Sequence, residues 1–127
     1  MSIEKKTKCL FGVEGEEIFL DLSRVELLCF QKCVDRSIVS NMLEGIMFKK
    51  EFSPVGVTKI DNNTYSLTIL ADPDSGFMDG GHHRAYAHYF AGEELRCLLV
   101  PSKYRALHKP QITVRDIKIQ NNSKLSL

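Results

Sequence analysis

The sequence has almost no charge bias: 17 Lys and Arg stand against 16 Asp and Glu among 127 residues, a formal net charge of +1. A near-neutral chain gives no support for wholesale nucleic-acid binding, which draws on excess positive charge, and leaves only a local basic patch open. No apolar run approaches the length of a membrane span. The first residues, Met1-Ser2-Ile3-Glu4-Lys5-Lys6, are charged and carry no signal-like apolar stretch, so no membrane partner and a cytoplasmic location are expected. There is no internal repeat and no low-complexity segment. The four cysteines, Cys9, Cys29, Cys33 and Cys97, include no C-x-x-C pair. On a helix Cys29 and Cys33 would share a face, and a zinc site with His82 and His83 is conceivable, but the spacing fits none of the usual zinc patterns. Reduced thiols serving as small buried hydrophobes are expected instead.

What is present suits one domain. With 43% hydrophobic and 26% charged residues the composition is ordinary, and the chain is long enough to bury a core without disulfide or metal staples. Residues 1–8 are polar and expected to fray. Lys8–Val13 reads as a short strand before a turn at Gly15, and Glu17–Leu22 as a second, which Ser23–Leu28 continues or leaves. Asp35 or Ser37 is the N-cap candidate for a helix running to about Lys50. Its apolar residues Ile38, Val39, Met42, Leu43, Ile46 and Met47 recur at helical spacing, with Asn41, Glu44, Lys49 and Lys50 opposite. Ser53-Pro54 ends that helix. Val55–Ile60 and Thr64–Leu70 read as strands about a turn at Asp61-Asn62-Asn63, and Asp72–Gly76 as another turn. Leu95–Val100 reads as an apolar strand central in a sheet. Ile112–Ile119, after Pro110, alternates as a last strand. The expected fold class is α+β, a small mixed sheet with about two main helices.

The stretch with chemical content is Phe77-Met78-Asp79-Gly80-Gly81-His82-His83-Arg84, which reads as a strand end, a two-glycine turn and the start of a helix closing at Gly92. Ala85, Tyr86, Tyr89 and Phe90 supply the apolar period of that helix. Adjacent glycines let the backbone turn tightly and approach a ligand. The amides that open a helix lack intrahelical partners and carry partial positive charge, which suits an anion. Arg84 adds a planar cation that matches phosphate oxygens, its ordinary alternative being a surface ion pair with Glu93 or Glu94. Asp79 can hold a metal ion, accept a proton or cap the helix. His82 and His83 are adjacent, so on a helix they point about 100° apart and cannot both face one ligand. One of them is a candidate for phosphate contact or proton transfer. His88 is expected at the surface. His108 is a weaker candidate, and Lys49, Lys50, Lys103 and Arg105 form either a positive rim or a solvated face.

The order of elements around Asp79-Gly80-Gly81-His82-His83-Arg84 resembles the ParB/sulfiredoxin-like fold, over roughly residues 17–103. Residues 1–16 would then be an N-terminal segment, and 104–127 a C-terminal strand and tail packed on the same domain. ParB-type proteins carry a glycine and two arginines in this turn, and sulfiredoxins carry glycine-cysteine-histidine-arginine. The archaeal free-serine kinases carry Asp-Gly-His-His-Arg, to which this turn is most similar, with one extra glycine. The resemblance implies that Gly80, Gly81, His82, His83 and Arg84 bind nucleotide phosphate. It also implies that Asp79 serves metal binding or proton abstraction, with His83 as a second catalytic candidate. No cysteine stands in the turn, so sulfiredoxin chemistry is not expected. Residues 27–31 carry no counterpart of the kinase glutamate, and only Glu26 lies nearby.

The expected function is binding of a nucleotide, ATP or CTP with Mg²⁺, followed by hydrolysis or phosphoryl transfer to a small acceptor. The alternative is a binding module for DNA or a protein, such as a plasmid, phage or mobile-element regulator or a weak nuclease. A second copy of the chain is a further partner considered, since an uncovered edge strand invites pairing.

Overall fold

Alternating and wholly apolar runs of the chain pair into sheets in the computed structural model, which describes residues 7–10, 12–68, 70–71, 78–79, 81–104 and 111–120. For 7–10, 70–71 and 78–79 the description is of the backbone alone. The first strands are β1 (Thr7–Leu10), β2 (Val13–Leu20), β3 (Glu26–Cys29) and β4 (Cys33–Asp35). Helix α1 (Arg36–Met47) follows, then β5 (Val55–Asp61), β6 (Thr64–Leu67), β7 (Leu70–Ala71) and β8 (Met78–Asp79). Helix α2 (His82–Ala91) leads to β9 (Leu95–Leu99), a 3-10 turn at Ser102–Tyr104, and β10 (Ile112–Thr113). A second 3-10 turn at Val114–Asp116 precedes β11 (Lys118–Gln120).

Seven strands form one mixed sheet in the order β1-β2-β9-β5-β6-β3-β10, while β11 pairs with β4 and β7 with β8. The fold class is thus α+β. Within the sheet β5 runs parallel to β9, and β3 parallel to β6; the other pairs are antiparallel. The register puts Ile18 beside Cys97 and Leu20 beside Leu95, Val55 beside Cys97, Val57 beside Leu67, and Leu27 beside Tyr65. These residues share the face that packs with Val39 of α1 and with Ala85 and Ala87 of α2 to form the core. Burial of such side chains, about 1.5–3 kcal/mol each for the larger aliphatics, is what holds helices of ten to twelve residues in place.

Several boundaries differ from the sequence-based expectations, each for a local reason. The first turn lies at Gly12 (φ 79°), not at Gly15. Gly15 is inside β2, where a Cβ would meet the Leu99 carbonyl oxygen at 2.4 Å, so this glycine serves close strand contact. Helix α1 stops at Met47, three residues short of Lys50. Lys49 takes up the left-handed conformation (φ 61°) and its N–H bonds the Ile46 carbonyl, while the Lys50 N–H bonds that of Gly45. This is the place where glycine usually ends a helix, so no residue type announced the stop. Met47 and Phe48 are left exposed there. The strand expected over 64–70 ends at Leu67, and Leu70–Ala71 pairs instead with Met78–Asp79. The strand expected over 112–119 is two short strands about a 3-10 turn, which the Thr113 hydroxyl closes by donating to Asp116 Oδ2 at 2.7 Å. Three-residue spacing turns both Val114 and Ile117 into the core, which strand alternation could not do. The turn expected at Asp72–Gly76 lies outside the described residues.

Candidate functional site

Helix α2 begins at Gly81, which holds φ 72° and ψ 15°, the left-handed region that glycine tolerates best. A Cβ at Gly81 would sit 2.5 Å from Val55 Cγ1, so the turn is pressed directly onto the start of β5. Gly81 has no side chain with which to cap this N-terminus, and among the described residues the first turn carries no acidic residue. The first intrahelical bond runs from the Ala85 N–H to the Gly81 carbonyl, 2.9 Å, so the His82, His83 and Arg84 amides precede the ladder. The far end closes on Gly92, also left-handed (φ 71°), as the sequence indicates.

The side chains of this turn are directed inward. His82 is 2% exposed, and its Nε2 accepts the Phe30 N–H at 3.0 Å and the Gln31 N–H at 3.3 Å. The Phe30 ring stands edge-on to the imidazole with centroids 4.2 Å apart. His83 Nε2 accepts the Asp35 N–H at 3.0 Å. Burial pushes the His83 imidazole below its ordinary pKa, and the nearby Asp35 carboxylate only partly opposes this. Arg84 is buried, and its Nη1 donates to the Ser53 carbonyl at 2.7 Å and the Pro54 carbonyl at 3.3 Å. The three residues thus fasten α2 to the 30–35 connection and to the chain entering β5.

Other expectations fare differently. The backbone of Asp79 ends β8, directly before the turn, and Gly80 lies outside the described residues. His88, expected at the surface, is 8% exposed: its Nδ1 donates to the Arg84 carbonyl at 2.7 Å and its ring meets the Phe52 ring edge-on. Phe90, read as part of the apolar face of α2, is exposed, and Ala87 takes its place in the core. Glu26 pairs with Arg115 at 2.6 Å. Cys29 and Cys33 lie on two strands, not on one helix, and burial pushes the Cys29 thiol up to about 12 and the Cys97 thiol higher still, which leaves both inert as nucleophiles. Arg105 and His108 lie outside the described residues. Lys103 sits over the Tyr104 ring.

Lys49 and Lys50 do not rim the turn. They line a cavity of about 200 Å³ with Ile46, His88, Glu93 and Glu94. Since Asp35 meets His83 at one end and Ile46 shares that cavity with Glu93 at the other, α1 and α2 lie side by side in the same sense, with their N-termini together.

Chemically, the turn sets the amides that open a helix in front of the buried Arg84 guanidinium. Among the described residues no group of three His, Cys, Asp or Glu side chains could hold a metal ion. Mg²⁺ favours oxygen ligands, whereas the described side chains of the turn are two imidazoles and a guanidinium; Asp79 is the position whose chemistry suits such an ion. No helix of the described residues is long and apolar enough to cross a membrane. The contacts that sequence reasoning missed are the amides of Phe30, Gln31 and Asp35 and the carbonyls of Ser53 and Pro54. Being backbone groups 30 to 52 positions distant, they left no signal in residue type. No protein-family model, curated protein or solved structure matches the chain.

Proposed function

We propose that this domain binds a nucleotide, ATP or CTP, by placing its phosphates on the first turn of α2, as the ParB/sulfiredoxin-like resemblance implies. The observation that carries the reading is the left-handed Gly81 opening a helix, a cap position with no side chain of its own, with no acidic residue among the described residues of its first turn. An anion at such a terminus gains about 0.3–1 kcal/mol from the helix field at an exposed site and about 2 kcal/mol in partly buried geometry, before its hydrogen bonds are counted. The ligating groups in this reading are backbone amides of residues 81–84. Arg84 contributes its positive charge from behind the turn while holding Ser53 and Pro54 in place. Hydrolysis or phosphoryl transfer to a small acceptor is the chemistry assigned to the site, with Asp79 as the proton acceptor by position and Mg²⁺ supplying charge neutralisation when bound.

Thermal stability in the presence of ATP, CTP or ADP, each with Mg²⁺, tests the reading. A nucleotide at a hundredfold its Kd adds about 2.7 kcal/mol to the native state, and short DNA adds nothing. No shift with any nucleotide sinks the proposal. It would leave the second reading, a protein-binding module, which the exposed Met47, Phe48 and Phe90 favour.

A further inference from the structure

Two adjacent imidazoles at a phosphate turn invite the view that they touch the ligand. The geometry points elsewhere. We infer that His82 and His83 are positioning residues which hold the first turn of α2 by accepting backbone N–H groups through neutral Nε2 atoms, so that anion affinity at the turn falls as pH falls. The inference rests on the phosphate reading above and concerns the control of that same site.

An amide N–H only donates. His82 Nε2, with two amide donors at 3.0 and 3.3 Å, and His83 Nε2, with one at 3.0 Å, must therefore both be lone-pair acceptors. In both rings the single proton then sits on Nδ1. A second proton can enter only at Nε2, where it would point N–H against N–H and strip the Phe30, Gln31 and Asp35 amides of their acceptor. These amides are only part-buried, so losing the acceptor loosens the contact that holds the turn without orphaning a fully buried donor. The new positive charge would also stand in the first turn of a helix, the end whose field disfavours cations.

The titratable and charged groups borne by the elements packed against α2 are Cys33 and Asp35 of β4, Arg36 and Glu44 of α1, Arg96 and Cys97 of β9, and Arg115 and Asp116 of the second 3-10 turn. Of these, Asp35 acts on His83 and favours its charged form, but burial is the larger effect. Asp35 is itself engaged, its Oδ1 accepting the Ser37 N–H at 2.8 Å as the N-cap of α1. Protonation of His83 thus disturbs the starts of both helices at their junction.

The sign separates the two roles. A histidine that touches phosphate with its side chain binds more tightly when charged, so affinity would rise towards pH 5.5. A histidine that accepts an amide proton to hold the turn does the reverse. Sulfate is the suitable probe because it stays dianionic throughout this range. Its Kd is read from the amide shifts of Gly81 to Arg84 in two-dimensional NMR between pH 8 and pH 5.5, over the range in which the spectrum stays native. The expected result is a Kd that increases by up to about tenfold for each pH unit below the pKa of one imidazole, in step with altered Phe30, Gln31 and Asp35 amide resonances. H83Q supplies an acceptor near the Nε2 position and does not titrate, so it binds more tightly than H83A at pH 8 and shows a flatter profile. Affinity that is constant or rises as pH falls overturns the inference while leaving the phosphate reading intact. Absence of sulfate and nucleotide binding at every pH overturns both.

Discussion

The two helices start side by side and solve the same problem in opposite ways. At α1 the Asp35 carboxylate accepts the Ser37 N–H at 2.8 Å and the Ile38 N–H at 3.4 Å, so the chain supplies its own anion. At α2 the corresponding position is Gly81, which has no side chain to offer, and the three residues that follow bear imidazole and guanidinium groups directed at backbone partners. A self-capped terminus is finished as structure. The start at Gly81 is instead braced by the side chains of His82, His83 and Arg84, and the amides of its first turn precede the helix ladder. The difference locates the candidate site more sharply than the His-His-Arg composition does.

The largest expected effect comes from forcing a side chain into the start at Gly81. G81A meets both a left-handed backbone and Val55 Cγ1 at 2.5 Å. Adding about 1–2 kcal/mol for the backbone to about 1–3 for overpacking gives a loss of about 2–5 kcal/mol in chemical denaturation. G92A has a similar φ of 71° with nothing within 4 Å, so it should lose only the backbone cost of about 1–2 kcal/mol. Equal losses would mean that the Val55 contact does not constrain the turn.

Next comes Arg84→Ala, which removes a charged donor from the Ser53 and Pro54 carbonyls. We expect about 1.5–3 kcal/mol of destabilisation without any ligand, measured by urea unfolding. A purely ligand-binding arginine would leave the ligand-free stability unchanged. Asp35→Ala, at the capped start, should destabilise less than Arg84→Ala through loss of the cap and lower the His83 pKa further by removing the carboxylate that opposes burial, a change visible in imidazole NMR titration.

Two pH windows give the smallest effects and again divide the helices. His83 has its pKa depressed in the folded state, so its contribution is complete above the unfolded value of about 6.5 and declines as pH falls from there towards the folded value. Asp35 is depressed by its bonds to Ser37, first through the side chain and then through the backbone, so its contribution is complete above the ordinary carboxylate value of 3.8 and is lost as pH falls through the folded value. Denaturation midpoints followed from pH 8 to pH 3 should therefore fall in two stages, the first smaller in His83→Gln.

The parts of the fold that sequence makes legible are those fixed by near neighbours. Asp35, one of two N-cap candidates with Ser37, Gly92 as C-cap and the α2 start at Gly81-His82 each depend on groups within a few residues, so residue type comes close to placing them. Lys49 shows the limit, because it ends α1 in a conformation that lysine does not advertise. His88 shows another: spacing places it away from His82, yet α2 packs against α1, β4, β9 and a 3-10 turn, so the far side of the helix is buried as well. For His82, His83 and Arg84 the residue types pointed to an anion, but their directions are set by backbone groups remote in the chain. Legibility ended where partners became distant main-chain atoms.

Titration of ¹⁵N-labelled protein with ATP and CTP tells whether α2, and not α1, receives phosphate on its first-turn amides. Binding as proposed gives saturable shifts of the Gly81, His82, His83 and Arg84 amides with one common Kd, and little movement of the Ser37 and Ile38 amides that Asp35 already caps. Shifts confined to Ser37 and Ile38, or none at either helix start, would contradict it.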